Sequence, residues 1–189
     1  YGNDKIYGEA GKDTIYGGYG NDYIDGGAGN DKLYGGEQND TIKGGNGNDS
    51  IYGGTGNDAL YGDAGTNNFY FASGDGNDTV YSGKGTDILN FTDINFSDMS
   101  FIRSGYNLII RYSGGSVTLL NYLKSTVKSS VNTIVDKNGK SYNIKTKGII
   151  TINGTTHSAN KIAGTLMPDS ITGGLYKDTL TGGAGNDII

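Results

Sequence analysis

GGYGNDYIDGGAGNDKLYGG, residues Gly17 to Gly36, states one nine-residue phrase twice and begins it a third time. Each copy carries glycine at its first, second and fourth places, aspartate at its sixth and an aliphatic residue at its eighth. Read outward from there, the phrase runs GEAGKDTIY (from Gly8), GGYGNDYID, GGAGNDKLY, GGEQNDTIK, GGNGNDSIY, GGTGNDALY and GDAGTNNFY. After a slip at Phe71-Ala72 it continues as SGDGNDTVY and SGKGTDILN. The aspartates fall at Asp4, Asp13, Asp22, Asp31, Asp40, Asp49 and Asp58, then Asp78 and Asp87. The apolar place holds Ile6, Ile15, Ile24, Leu33, Ile42, Ile51, Leu60, Phe69, Val80 and Leu89. A fixed period kept this long marks a solenoid, in which each repeat is a unit that stacks on its neighbours.

The unit is not helical, because glycine costs about 1 kcal/mol at each helical position. The parse that fits is a six-residue turn followed by a three-residue strand whose middle side chain points inward. Two nonapeptides then close one flattened coil, and turns n and n+2 stack on the same edge, roughly 4.8 Å apart. The sixth-place residues form two columns: Asp4, Asp22, Asp40, Asp58, Asp78 on one edge, and Asp13, Asp31, Asp49, Asn67, Asp87 on the other. The same rule stacks Tyr16, Tyr34, Tyr52 and Tyr70 on one outer face, either as a stabilising same-face aromatic ladder or as an exposed column that binds a sugar or another protein, the ladder being the preferred reading. It places Tyr7, Asp25, Lys43, Tyr61 and Tyr81 on the opposite face.

One inward aliphatic residue per nine is little to set against the entropy of ordering the chain, and stacked carboxylates repel. A hard divalent cation between the turns reverses the second effect. Calcium takes 6–8 oxygens in a flexible shell, whereas magnesium demands a strict octahedron that such a turn suits less well. Five carboxylate pairs are uninterrupted (4/22, 22/40, 40/58, 13/31 and 31/49), and counting pairs gives roughly five to seven ions. Asn67 breaks its column and is expected to weaken or remove the sites beside it. Gln38 in a fourth glycine place is expected to strain its turn, and Glu9 and Asp63 in second places to do so less.

Composition agrees. Of 35 glycines in 189 residues, 23 lie in 1–90, together with 14 acidic against five basic side chains. That local acidity points to a cation as partner and away from nucleic acid. With no cysteine, a disulfide scaffold and zinc–thiolate sites are excluded, and no apolar run approaches a membrane span. Enzyme signatures are missing: His157 is the single histidine, no G-x-S-x-G occurs, and Gly139-Lys140-Ser141 has Ile134 where a phosphate loop needs glycine. No catalytic residue is expected. Tyr1 and Ile189 both fall inside a repeat, so the chain is expected to be a piece of a longer protein.

The pattern GG-x-G-x-D-x-(I/L)-x resembles the nonapeptide of RTX ("repeats in toxin") proteins. The resemblance implies an all-β, right-handed parallel β-roll that binds several calcium ions. Its ligands would be the aspartates named above, with backbone carbonyls of turn residues such as Gly17, Gly18, Gly20, Gly26, Gly27, Gly29, Gly35, Gly36, Gly44, Gly45, Gly47, Gly53, Gly54 and Gly56. It also implies a large extracellular or cell-surface bacterial protein, a toxin or adhesin, that leaves the cell through type I secretion machinery and folds on meeting calcium. Its other parts would engage a host surface or receptor. The alternatives are a repeat of an adhesin or S-layer protein, or the C-terminal secretion module of a protease, lipase or polysaccharide-modifying enzyme.

DILNFTDINFSDMSFIRSGYNLIIRYSGGSVTLLNYL, residues Asp87 to Leu123, abandons the period for short alternating runs broken by Ser-Gly and Gly-Gly turns. It resembles the segment following the repeats in haemolysin-type and adenylate-cyclase-type RTX proteins. A solenoid end exposes unpaired strands and needs such a cover. NTIVDKNGKSYNI, residues Asn132 to Ile144, predicts a hairpin around Asn138-Gly139. From Gly164 the phrase restarts as GTLMPDSIT, GGLYKDTLT and GGAGNDII, adding Asp169, Asp178 and Asp187 as expected ligands. The expected organisation is a roll over 1–90, a β-rich cap and linker over 91–163, and the start of a second block over 164–189.

Overall fold

The structure, a computed structural model, describes residues 1–81, 83–104, 106–122, 130–143, 150–153, 161–163, 169–172 and 179–181. Its strands are β1 (Lys5–Tyr7), β2 (Thr14–Tyr19), β3 (Tyr23–Asp25), β4 (Lys32–Glu37), β5 (Thr41–Lys43), β6 (Ser50–Thr55) and β7 (Ala59–Tyr61). They continue with β8 (Ala64–Gly65), β9 (Asn68–Phe71), β10 (Gly76–Tyr81), β11 (Lys84–Gly85), β12 (Asp87–Phe91), β13 (Ser100–Ser104), β14 (Asn107–Tyr112) and β15 (Gly115–Leu119). The remainder are β16 (Val131–Val135), β17 (Ser141–Asn143), β18 (Ile150–Asn153), β19 (Lys161–Ala163), β20 (Asp169–Thr172) and β21 (Thr179–Thr181). No α-helix occurs among the described residues.

The strands of the roll alternate between two main sheets, with the two-residue β8 and β11 paired to each other between them, which makes a parallel β-roll of about five turns. One sheet runs β1-β3-β5-β7-β10 and the other β2-β4-β6-β9-β12, every neighbour parallel. The eighth-place residues meet between the sheets: Ile24, Leu33, Ile42, Ile51, Leu60, Phe69, Val80 and Leu89 are all at 0 % exposure. The slip at Phe71-Ala72 lengthens one coil without moving a side chain to the wrong face, since Val80 still pairs with Leu60 and Leu89 with Phe69.

The two flanks differ, which the nine-residue parse does not foresee. On one flank β1, β3, β5 and β7 are three residues long; on the other, β2, β4 and β6 run on through the following Gly-Gly to six. There the turn backbones stay in ladder register, Gly18 opposite Gly36 and Gly36 opposite Gly54. At Gln38, Glu9 and Asp63, where the motif asks for glycine, φ is 80°, 68° and 57°. The repeat imposes the left-handed conformation even on residues that a Cβ makes reluctant to adopt it.

The roll passes into its cap without a break in pairing. β15 adds in parallel to β10, with Gly115, Ser116 and Val117 opposite Gly76, Asn77 and Asp78. β16 adds in parallel to β12. Beyond them the pairing turns antiparallel, through β14 and β13 on one sheet and β17 on the other. The β16–β17 hairpin turns at Asn138-Gly139 as predicted. There Asp136 Oδ1 accepts the Asn138 and Lys140 N–H groups, each at 3.0 Å, and Gly139 takes φ 74°. Phe71, Phe91, Phe101, Leu108, Ile110 and Tyr122 bury here, continuing the core of the roll. Further on, β18 pairs in parallel with β20 and β19 with β21, so strands before Gly164 join strands after it.

The tyrosine column stacks. Tyr16, Tyr34, Tyr52 and Tyr70 follow one another at centroid distances of 4.7, 4.5 and 4.3 Å and within 14° of parallel. On the other face Tyr61 stacks on Tyr81 at 4.1 Å, and the Lys43 ammonium lies 5.5 Å and 5.9 Å from the Tyr23 and Tyr61 ring centres. Tyr52→Thr removes two stacks and is expected to lower stability in saturating calcium by about 1–3 kcal/mol, while Tyr16→Thr, which removes one, costs about half as much. Denaturant unfolding measures both, and equal or negligible losses would deny the ladder a stabilising role.

Candidate metal sites

Each turn hands its aspartate to the next coil in one way. The Asp22 N–H donates to Asp40 Oδ1 at 2.8 Å, Asp31 to Asp49 at 2.9 Å and Asp40 to Asp58 at 2.8 Å. Asp4 and Asp13 donate likewise to Asp22 and Asp31, at 2.7 and 2.9 Å. Across the slip Asp58 still reaches Asp78, at 3.0 Å. One carboxylate oxygen therefore stitches the coils. The other, Oδ2, is buried without a hydrogen-bond partner in Asp13, Asp22, Asp31, Asp40, Asp49 and Asp58.

A buried carboxylate oxygen without a donor is costly unless something positive faces it. The surroundings leave room for that. A Cβ added to Gly26 would lie 2.7 Å from Asp31 Oδ2 and 2.7 Å from the Gly44 carbonyl oxygen; at Gly17 the corresponding distances are 2.5 Å to Asp22 and 2.6 Å to Gly35. Gly35, Gly44 and Gly53 abut Asp40, Asp49 and Asp58 in the same way. At Gly8, Gly17, Gly26, Gly35 and Gly44 the first glycine of the repeat thus keeps a cradle open between a carboxylate and the carbonyl of the next coil. Every donor facing it is oxygen, the set a hard cation prefers. Among the described residues no three acidic or histidine side chains converge; the charges form columns, so backbone oxygens must complete each shell.

The other turn residues named from sequence are placed differently. The Gly27 and Gly45 carbonyls accept ladder hydrogen bonds from Asn46 and Ala64. Gly29 and Gly47 sit directly over the carbonyls of Gly11 and Gly29, closer than any Cβ allows. Gly18, Gly36 and Gly54 follow one another in ladder register, and Gly20 and Gly56 lie against the carbonyls of Gly2 and Gln38. Asp22, Asp31, Asp40, Asp49, Asp58, Asp78 and Asp87 are buried, Asp13 is half-buried and Asp4 exposed. Asp169 opens β20; Asp178 and Asp187 lie outside the described residues.

Sequence reasoning missed the neighbouring column. Asn21 donates its N–H to Asn3 Oδ1, Asn39 to Asn21, Asn57 to Asn39 and Asn77 to Asn57, at 2.7 to 2.9 Å. Asn48 and Thr66 do the same on the other edge. This ladder runs against the aspartate ladder: aspartate accepts from the coil before it, asparagine from the coil after it. The signal was the Asn-Asp pair recurring at the fifth and sixth places. Both ladders end in the cap. The Ser116 hydroxyl donates to Asn77 Oδ1 at 2.8 Å, and buried Val117 and Val131 occupy the next aspartate places, opposite Asp78 and Asp87. No carboxylate follows, so neither column extends past the roll.

Burial raises the carboxylates. Asp40 and Asp49 are pushed up to about 6, Asp58 to about 7 and Asp78 to about 8, chiefly by removal from water, with a neighbouring carboxylate of the column adding to it. Their unfolded values lie near 4.

Stacked coils whose turns hold paired carboxylates and carbonyls in dry cradles define a solenoid made to bind hard divalent ions. The RTX calcium-binding nonapeptide repeat family matches residues 1–33, 34–69, 70–91 and 164–189, more than half of the chain, and the chain belongs to that family. Its repeats bind calcium, several ions per block, are characteristic of secreted bacterial proteins, and generally serve as structural modules. No curated protein matches the chain. Among solved structures, the extracellular lipase LipA from Serratia marcescens is similar over 87 % of this chain at 18 % identity and a TM-score of 0.30; the chain spans 29 % of that lipase's length.

Two outcomes follow from this geometry. Gly26→Ala fills a cradle without requiring a left-handed backbone, and is expected to remove one calcium ion from the stoichiometry found by isothermal titration; an unchanged count would place the ion elsewhere. The second concerns pH. Carboxyls whose folded values exceed their unfolded ones favour the metal-free coil at low pH, and that advantage is lost as pH rises through 6 to 8. In chelator, β signal by circular dichroism should be greater at pH 5 than at pH 8. Calcium affinity should run the other way, since binding expels those protons.

Proposed function

We propose that this chain is the calcium-operated folding segment of a large secreted bacterial RTX protein of the toxin or adhesin kind. The observation that carries this reading is the column of buried Oδ2 atoms, which makes the roll a poor structure without cations. The aspartates named above are the ligands, each serving the turn before and the turn after it, with the first-place glycines keeping the cradle open. Calcium supplies the positive charge that lets these carboxylates stack.

The remainder is a matter of where calcium is found. Extracellular modules bind with Kd near 10⁻⁴–10⁻³ M, well above cytosolic levels. The repeats therefore stay unfolded inside the cell, pass through type I secretion machinery as an extended chain, and fold outside. The segment acts by binding and folding, not catalysis, and positions other parts of its parent protein toward a host surface or receptor. Residues 1–90 are the roll and 91–163 its cap and linker. Residues 164–189 begin a second block, to which the β18–β20 and β19–β21 pairs lend support.

Far-UV circular dichroism across a calcium titration, with magnesium as control, tests the proposal. The expected result is a steep, chelator-reversible gain of β signal below a few millimolar calcium, with magnesium ineffective. A chain fully folded in excess chelator at pH 7.5 would refute the coupling of folding to secretion.

A further inference from the structure

Asn67 is the single asparagine in the two aspartate columns of 1–90, and its surroundings show what that exchange does. It is fully buried, and its side chain lies as the aspartates lie. Its Oδ1 accepts the Asp49 N–H at 3.0 Å, as Asp31 and Asp49 accept in the coils before it. A Cβ added to Gly62 would meet Asn67 Nδ2 at 2.7 Å, the distance at which one on Gly26 would meet Asp31 Oδ2. The amide nitrogen therefore stands where a carboxylate oxygen stands elsewhere.

What the nitrogen touches is the informative part. Nδ2 donates to the Gly62 carbonyl at 2.8 Å and to Asp87 Oδ1 at 3.0 Å, while the Asn67 N–H also donates to Asp87 Oδ1, at 3.1 Å. The amide has two N–H donors and both are used. Placing an oxygen there instead would set three acceptors against one another: the side-chain oxygen, the first-place carbonyl of its own turn and the carboxylate of the next coil. In the aspartate turns a carboxylate oxygen without a donor stands at that place, near a first-place carbonyl of the next coil, and it calls for a cation. At Asn67 two amide protons satisfy it.

We propose that Asn67 is a built-in substitute for a calcium ion. Its amide closes the rung between the turn ending at residue 67 and the turn ending at Asp87, so no ion enters there. The rung between Asp49 and Asn67 has one charge fewer, and the Gly62 carbonyl beside Gly44 and Asp49 already accepts from Asn67 Nδ2, so it holds its ion more weakly. The two rungs beside Asn67 are thus unequal, one weakened and one closed. The closed one is next to the cap, where β12 meets β16, and it joins the last coil to the roll without metal. The inference rests on the calcium-binding reading of the roll.

The test is ion stoichiometry by isothermal titration and by native mass spectrometry of this chain in saturating calcium. Asn67→Asp is expected to bind one ion more than the unsubstituted chain; an equal or smaller count in a folded variant overturns the proposal. Should Asn67→Asp not fold, Asp40→Asn, which places the same amide between two intact rungs, is expected to bind one ion fewer than the unsubstituted chain. An unchanged count there overturns it equally. An unsubstituted chain that binds no calcium would instead remove the reading on which the proposal stands.

Discussion

Like charges held at the spacing of a β-sheet govern this molecule. Ladder hydrogen bonds bring successive coils to roughly 4.8 Å, and the register that aligns Ile24 with Ile42 also aligns Asp22 with Asp40. The coil cannot form its backbone hydrogen bonds without stacking carboxylates, and stacking buried, ionised carboxylates is costly without a counter-charge. The proposed coupling of folding to cation binding rests on that cost. The small residues follow from this: a first-place glycine keeps a Cβ away from the buried carboxylate oxygen, and the fourth-place glycines let carbonyls of adjacent coils pass closer than a Cβ permits.

The asparagine ladder works beside the aspartate ladder without competing for the cation. Neutral amides satisfy the fifth-place N–H groups and leave the carboxylate Oδ2 atoms without a donor. Because the two ladders point in opposite directions along the roll, each coil is tied to the one before and the one after by side-chain acceptors as well as strand pairing. Such a connection is local to neighbouring coils, as expected of a quasi-one-dimensional solenoid.

The cap obeys different physics. It continues both sheets in register for one strand each, then reverses direction and buries phenylalanines, leucines and tyrosines in the manner of an ordinary β domain. Val117 and Val131 mark the change of rule: at the two places where the columns would go on, carboxylate gives way to hydrocarbon. The carboxylate columns are thus bounded by a structure built on hydrophobic burial.

Much of this was legible in the sequence because the repeat is strictly periodic. Period alone determined the parallel roll, the inward Ile and Leu column, the two aspartate columns and the stacked tyrosines, since in a solenoid equal phase means equal environment. What broke the period, or depended on which atom faces which, was decided only in three dimensions. The six-residue strands on one flank, the opposed asparagine ladder and the valines that end the columns arise from contacts between coils, some across non-repeating chain. Asn67 shows the division well: in sequence it is a departure from a motif, whereas in the fold its amide protons point at the oxygens a cation would bridge. Spacing carries phase, but not the direction of a hydrogen bond.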